Sequence, residues 1–356
     1  MLWFDLDNSP HVPLFRPIFL ELKKRSRPVL VTARDFAQTK SLLELWNIDG
    51  TIIGEHGGRN KVLKVLNLFV RSQQLVRFVR EKMVSLAVSH GSRTQVVAAR
   101  RLGIPSVLML DYEYTEARIF NTFANVLLMP GLIPDERLVK AGFNMKKIVR
   151  YAGLKEEIYL SDFHPEPDFR RSLGIDEDTI LTVIRPPAAE GNYHDEKSEK
   201  LFRRSLEYFS LNATVQCLVL SRSGSDLDII PPDLRKKRNI TVLQRAVDGL
   251  QLIWNSDIVV SGGGTMNRES ALLGTPTYSI FTGRRPYLDE YLKDQGKMCF
   301  VETFSEVDRI PILRKVTPKD YHPTNPRLPS IITDMLVDLS VRFSARQRRG
   351  IPPGVE

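Results

Sequence analysis

The stretch Asp257-Ile258-Val259-Val260-Ser261-Gly262-Gly263-Gly264-Thr265-Met266-Asn267-Arg268-Glu269 decides the fold of this 356-residue chain. Its apolar, β-branched start predicts a buried strand. Its three glycines predict a turn that a ligand can approach closely, and its polar end predicts the first turn of a helix. Free N–H groups at such a helix start bind phosphates. The pattern therefore favours a diphosphate at Gly263 to Thr265 and ribose hydroxyls at Glu269. The alternative is a tight strand–helix turn in which Glu269 is only a favourable first-turn acid.

Outward from this stretch, short apolar runs alternate with helical patterns along the whole chain. Such alternation is typical of βαβ units and so of parallel sheets covered by helices on both faces. In the first half the predicted strands are 2–6, 28–32, 51–53, 84–89, 106–110 and 125–129, and the main predicted helices are 12–24, 35–46, 60–82 and 92–102. In the second half the predicted strands are 179–184, 214–220, 240–243, 257–260, 277–280 and 298–301.

Two interruptions divide the pattern into domains. Residues 154–175 carry His164-Pro165-Glu166-Pro167, which breaks both periodicities and indicates a linker. Residues 331–346 repeat apolar side chains at helical spacing, which predicts a final helix lying on a core. We therefore predict two Rossmann-like, doubly wound parallel-sheet domains that face each other across a cleft, over residues 1–160 and 161–330, followed by a helix and tail over 331–356.

Missing motifs exclude several enzyme classes. The turn after the first strand has no glycine, so the G-x-G-x-x-G dinucleotide fingerprint is absent there. The chain also lacks the P-loop, G-x-S-x-G and H-E-x-x-H motifs, and its six histidines are scattered. NAD enzymes, P-loop NTPases, α/β serine hydrolases and zincins are therefore disfavoured, and no metal site is expected. We expect no signal peptide and no membrane span. We also expect the two cysteines, Cys217 and Cys299, to be buried thiols, which indicates a cytoplasmic protein.

Residues 261–276 resemble the C-terminal nucleotide-sugar motif of GT-B-fold proteins, which include lipid-acceptor glycosyltransferases and UDP-GlcNAc 2-epimerases. In that motif a Gly-rich turn precedes a helix glutamate that stands five residues before the glycine of a G-x-P, as Glu269 stands before Gly274-Thr275-Pro276. The resemblance implies a GT-B fold, a final helix packed on the first domain, and a UDP-type sugar as substrate with no further cofactor. The donor-binding residues that it implies are Arg185, Gly262, Gly263, Gly264, Thr265, Met266 and Glu269, with Ser92 at a second helix N-terminus.

The N-terminal motif Asp5-x-x-Asn8-Ser9-Pro10-His11-Val12 looks like that of an uncharacterised prokaryotic family assigned to the same superfamily. His11 stands where GT-B glycosyltransferases have a Gly-His-Val turn, which makes it a candidate base or hydrogen-bond donor. His90 ends a strand and precedes a helix start at the same edge, and Glu113 is similar in position to an acidic residue of the 2-epimerase pattern. The resemblance thus implies His11, His90 and Glu113 as catalytic candidates; the alternatives are a local polar contact for His11 and a solvated loop acid for Glu113.

Two departures from the 2-epimerase pattern bear on the reaction. That pattern has Gly-Asp-Thr where this chain has His90-Gly91-Ser92, and Thr-His-Arg where it has Val183-Ile184-Arg185. The resemblance therefore implies first a glycosyltransferase-like enzyme that moves a sugar from a UDP-type donor to an unknown acceptor. A 2-epimerase-like isomerase and a non-catalytic nucleotide-sugar binding protein remain as alternatives.

The charge of the chain is concentrated in its first half. The formal net charge is +9, and residues 1–160 carry 24 Lys and Arg against 15 Asp and Glu, whereas the rest is neutral. Helix 60–82 adds bulky apolar residues to basic ones, a composition that can rest on an anionic membrane. The hypothesis is an anionic or lipid-linked acceptor with peripheral membrane contact through 60–82; the alternative is a core helix with a solvated basic edge. No nucleic-acid motif is found, so we expect no nucleic-acid partner.

Overall fold

The structure is a computed structural model in which the chain divides into two compact units. Unit 1 comprises Met1–Asp162 and the segment from Pro323 onward, and unit 2 comprises Phe163–His322. The structure describes residues 1–36, 38–55, 61–187, 196–221, 229–243, 247–316, 318 and 320–349. Of residues 61–66 it describes the backbone only.

Over the described residues, unit 1 is built on a sheet of seven parallel strands in the order β3-β2-β1-β4-β5-β6-β7. The order reverses between β1 and β4, and open α/β sheets bind ligands at the carboxyl ends of the strands that flank such a reversal. The strands are β1 (Leu2–Leu6), β2 (Val29–Asp35), β3 (Thr51–Glu55), β4 (Leu86–His90), β5 (Ser106–Met109), β6 (Val126–Pro130) and β7 (Ile148–Tyr151).

Helices follow most of these strands. The helix after β4 shows how the sequence sets its ends, because the Ser92 hydroxyl accepts the N–H of Gln95 at its start and Gly103 takes a φ of +67° after its last residue. The helices are α1 (His11–Lys24), α2 (Thr39–Leu45), α3 (Lys61–Val79), α4 (Arg93–Leu102), α5 (Ala117–Phe123), α6 (Asp135–Lys140) and α7 (Glu156–Leu160).

Unit 2 repeats the scheme with six parallel strands among its described residues, in the order β10-β9-β8-β11-β12-β13. Here the order reverses between β8 and β11. The strands are β8 (Ile180–Arg185), β9 (Val215–Leu220), β10 (Ile240–Leu243), β11 (Ile258–Ser261), β12 (Thr277–Ser279) and β13 (Cys299–Phe300). The helices are α8 (Phe169–Ser172), α9 (Glu196–Ser210), α10 (Pro232–Arg235), α11 (Gly249–Trp254), α12 (Gly264–Leu272), α13 (Tyr287–Asp294) and α14 (Phe304–Val307).

The last helix, α15 (Leu328–Arg348), belongs to unit 1, where it packs on α1 and α7. Its buried residues Ile332, Leu336 and Phe343 are four and seven positions apart, as expected for one face of a helix lying on a core. The expected return of the final helix to the first domain is thus confirmed, together with the two doubly wound parallel sheets.

Four local features differ from the predictions. The predicted helix 35–46 begins only at Thr39, because β2 continues to Asp35. Strand β7 was not predicted, since only four residues, among them Arg150, carry its pattern. The predicted linker 154–175 contains the short helices α7 and α8. Of the two cysteines, Cys217 is buried as expected, whereas Cys299 is exposed on β13.

Candidate functional site

In unit 2 the glycine turn lies at the carboxyl end of β11, at the point of strand-order reversal. Gly262 packs so closely on the backbone of Pro187 that an added Cβ would lie 2.8 Å from the Pro187 Cα, so only glycine fits there. The Ser261 hydroxyl accepts the N–H of Gly263 at 3.1 Å and fixes the turn from inside. The backbone is thus held where a ligand can approach it closely.

The turn opens directly into α12 with an uncapped helix start. Gly263 is the N-cap residue and supplies no side-chain cap, and the first helical hydrogen bond runs from the N–H of Asn267 to its carbonyl oxygen. The N–H groups of Gly264, Thr265 and Met266 therefore find no backbone acceptor among the described residues. Such N–H groups at the positive end of a helix dipole are suited to bind an anion.

Buried polar contacts hold α12 in place. The side-chain amide of Asn267 donates to the Ser279 hydroxyl at 2.9 Å, and Arg268 forms a buried ion pair with Asp289 at 3.0 Å. Arg185 ends β8 opposite Ser261, and its carbonyl oxygen accepts the N–H of Gly262 at 3.2 Å.

The predicted donor-binding residues of unit 2 therefore come together around one turn. Arg185, Thr265 and Glu269 are partly exposed there. The Met266 side chain is buried, so this residue offers the turn its backbone N–H only.

In unit 1 the carboxyl end of β1 carries a buried ion pair that sequence reasoning missed. Arg71 of α3 donates from Nη1 and Nη2 to the two carboxylate oxygens of Asp5, at 2.8 and 2.7 Å, and both side chains are buried. The Ser92 hydroxyl donates to the same carboxylate at 2.6 Å. Ser92 is fully buried, and its hydroxyl serves this network and the start of α4.

His11 is buried at the start of α1, where its Nδ1 accepts the backbone N–H of Asp7 at 3.1 Å. Burial, and after it the neighbouring His90, holds the pKa of His11 well below its ordinary value. The ring is therefore neutral near pH 7. Because Nδ1 accepts a hydrogen bond, the single ring proton lies on Nε2, and His11 can donate a hydrogen bond to a ligand from that atom.

His90 lies beside His11, with 5.0 Å between the ring centroids, and begins a chain of polar contacts. Its Nε2 is 3.0 Å from Oδ1 of Asp111, whose Oδ2 accepts from the Lys155 ammonium at 2.6 Å. Lys155 also donates to Oε1 of Glu156 at 2.8 Å. We call His90, Asp111, Lys155 and Glu156 the relay cluster.

Sequence reasoning found only part of the relay cluster. Asp111 stood in a polar segment after a predicted strand, which is a usable signal. Lys155 and Glu156 lie in the predicted linker, 44 and 45 residues beyond Asp111, and no sequence pattern indicated that they contact it. Glu113, the third catalytic candidate, is fully buried two residues after Asp111, which rules out a solvated loop acid.

The predicted membrane surface on α3 is only partly described, because residue 60 and the side chains of 61–66 lie outside the description. Of the remainder, Arg71 is buried with Asp5 and so offers no charge to a surface. Phe69 and Val70 are exposed apolar residues. Membrane contact through this helix stays a prediction.

The described residues contain neither a helix suited to span a membrane nor a cluster of metal-ligating side chains. No helix among them is long and apolar enough to cross a membrane. Within the same residues, no group of three or more His, Cys, Asp and Glu side chains is placed to hold a metal ion.

Three comparisons place this architecture among known proteins. A family model described as "Protein of unknown function (DUF354)" matches residues 1–338. An uncharacterized protein of Methanocaldococcus jannaschii, MJ0665, is 27% identical over 322 residues, which cover 86% of this chain and 89% of the relative.

Solved structures share the fold at low sequence identity. UDP-GlcNAc 2-epimerase of Neisseria meningitidis, bound to UDP-GlcNAc, is 15% identical with a TM-score of 0.73, over 95% of this chain and 100% of that one. Anabaena HepE, in complex with UDP and glucose, is 15% identical with a TM-score of 0.57, over 98% of this chain and 99% of that one. The fold is therefore of the GT-B type.

Proposed function

Because the chain belongs to the DUF354 family, a family of unknown function, we propose its activity from its own residues: it is a glycosyltransferase-like enzyme that uses a UDP-type sugar donor. Unit 2 binds the donor, and unit 1 supplies the groups that handle protons. The acceptor carries a hydroxyl group, and the basic first half of the chain favours an anionic or lipid-linked molecule.

One observation carries the proposal, namely the open helix start at Gly264, Thr265 and Met266. Its three N–H groups suit the oxygens of a diphosphate, and Gly262 leaves the backbone accessible. Arg185 at the end of β8 balances the phosphate charge. Glu269, partly exposed on α12, accepts hydrogen bonds from the ribose hydroxyls.

The choice of a uridine nucleotide rests on two solved structures of the same fold, one bound to UDP-GlcNAc and the other to UDP and glucose. UDP-sugar acts as substrate here and not as a cofactor. The α12 dipole and Arg185 stabilise the negative charge of the departing UDP, so the proposed step assigns no role to a metal.

His11 and His90 of unit 1 have different roles in the proposed reaction. His11 donates a hydrogen bond from Nε2 and is not the base. His90 donates a hydrogen bond from Nε2 to Asp111, which leaves Nδ1 as the atom that accepts the proton of the acceptor hydroxyl. The hydroxyl oxygen then bonds to the anomeric carbon while the bond from that carbon to the UDP oxygen breaks.

A 2-epimerase-like isomerase is the second candidate, since several solved structures of this fold carry that name. Against it stands Ile184, which occupies the place of the pattern's histidine and is fully buried in the core of unit 2. The buried Glu113 fits either reaction.

Incubation with UDP-GlcNAc, followed by NMR of the sugar and measurement of free UDP, separates the two candidates. We expect UDP release that accelerates when lipid or oligosaccharide acceptors are added, and no inversion at C2. The variant His90→Asn, with UDP binding retained, is expected to lose at least about 100-fold in rate because its base is gone.

The other outcomes of the same incubation are equally defined. Inversion at C2 without an acceptor would assign the epimerase instead. Bound UDP with every sugar donor left intact over long incubations would mark a binding protein without catalysis.

A further inference from the structure

The relay cluster contains a buried lysine whose place is set by the surrounding backbone. Lys155 is 5% exposed and directly precedes α7. The preceding loop is fixed by Oε2 of Glu157, which accepts the N–H of Leu154 at 2.7 Å. Gly153 has a φ of +120°, and a Cβ there would lie 2.5 Å from the same Glu157 oxygen. The backbone thus directs Lys155 to Asp111 rather than to solvent.

We infer that Lys155 is a positioning residue: it holds the Asp111 carboxylate so that Asp111 keeps the proton of His90 on Nε2 and leaves the Nδ1 lone pair of His90 free. The inference rests on the proposed function for its catalytic meaning. The tautomer of His90 and the charge around its ring can be tested in the absence of a substrate.

The tautomer follows from the two oxygens of Asp111. Oδ2 accepts from the Lys155 ammonium and Oδ1 from the His90 ring. An ionised carboxylate only accepts hydrogen bonds, so Nε2 of His90 must carry a proton. No hydrogen bond to Nδ1 of His90 is found among the described residues.

Charge counting gives the relay cluster a second property. Asp111 and Glu156 contribute two negative charges and Lys155 one positive charge, so the cluster carries −1 while His90 is neutral and zero once His90 binds a proton. His11 on the neighbouring α1 is neutral, and the Asp5 charge at the end of β1 is matched by Arg71. Glu113, on the same loop as Asp111, is present in every variant compared below and cancels from the comparison.

Two substitutions should therefore move the titration of His90 in opposite directions. Lys155→Met leaves −2 around the ring, which favours the imidazolium and so raises the titration midpoint of His90 relative to the unaltered protein. Glu156→Gln leaves a cluster charge of zero, which disfavours the imidazolium and lowers the midpoint. Lys155→Arg keeps the charge and is the matched control, with a midpoint close to that of the unaltered protein.

The experiment is a long-range ¹H–¹⁵N NMR titration of the full chain labelled at histidine, with His90 assigned from the His90→Asn spectrum. We expect the Nε2–H tautomer of His90 above its midpoint and shifts of opposite sign in Lys155→Met and Glu156→Gln. The pH profile of kcat should move with the midpoint, whereas KM for the UDP-sugar should stay within about twofold.

Three results would overturn the inference: an Nδ1–H tautomer, shifts of the same sign, or no shift in either variant. Should Lys155→Met fail to fold, Glu156→Gln and Lys155→Arg still test whether the charge of the relay cluster sets the titration midpoint of His90. Of these two variants, only Glu156→Gln is expected to move that midpoint. These readouts need no substrate. If the NMR shifts are as expected but UDP does not bind, the proposed function is refuted and the inference about Lys155 stands. If UDP binds but the NMR shifts are not as expected, only the inference about Lys155 is refuted.

Discussion

Replacement of Thr265 by aspartate is expected to weaken UDP binding by at least about 100-fold while leaving the protein as stable as before. Thr265 is the second residue of α12, and its N–H is one of the three that face no backbone acceptor among the described residues. A carboxylate placed there repels a diphosphate about 4 Å away by several kcal/mol at the dielectric of a protein surface. The same carboxylate favours the helix dipole, so the melting temperature is expected to hold or rise slightly.

Isothermal titration calorimetry with UDP, together with the thermal melting temperature, measures both effects. Thr265→Ser is the matched control, because it keeps the backbone and adds no charge. Equal UDP affinity in Thr265→Asp and Thr265→Ser would place the diphosphate elsewhere.

The largest loss of stability is expected from Arg71→Met, at about 3–5 kcal/mol in the free energy of unfolding near pH 7. Methionine fills much of the arginine volume but leaves the fully buried Asp5 carboxylate without its cation. Burial alone would raise the pKa of Asp5, and the Arg71 guanidinium with the Ser92 and Thr32 hydroxyls holds it below its ordinary value. Without Arg71, burial raises the pKa of Asp5, so the orphaned carboxyl takes up a proton as the pH falls and the cost of Arg71→Met should shrink toward pH 4.

Urea unfolding of the full chain, followed by circular dichroism at several pH values, tests this expectation. Arg77→Met makes the same change on the exposed side of α3 and should alter the free energy of unfolding by at most about 0.5 kcal/mol. The double variant Asp5→Asn with Arg71→Met removes the orphaned charge and should recover part of the loss. An Arg71→Met protein as stable as Arg77→Met would show that the pair contributes nothing.

The fold was predictable because its signals are local. Strands β1 and β10 have the predicted bounds, and most of the others differ by a few residues. The stretch from Asp257 to Glu269 also predicted the strand, the glycine turn and the helix start of the candidate site, because all three depend on adjacent residues. Where the local pattern was short, as at β7, the prediction failed.

The proton chemistry of unit 1 was predictable only in part, because its partners are distant in sequence. His11 was predicted to be a base or a hydrogen-bond donor. The acceptor role of its Nδ1, which favours the donor, depends on the backbone of Asp7, and no sequence pattern shows this contact. Arg71 was counted among the basic residues of a surface helix, yet it is paired with Asp5, 66 residues away. A basic helix composition cannot tell a solvated arginine from a buried one, because that depends on which carboxylate the fold brings to it.

Calorimetric titration of the unaltered protein with UDP, and with uridine under the same conditions, tests the central claim most directly. That claim is that the α12 start of unit 2 holds the diphosphate of a UDP-type donor. It predicts saturable one-site binding of UDP, and affinity at least about tenfold lower for uridine, which lacks the phosphates. Absence of UDP binding, or equal affinity for UDP and uridine, would contradict it.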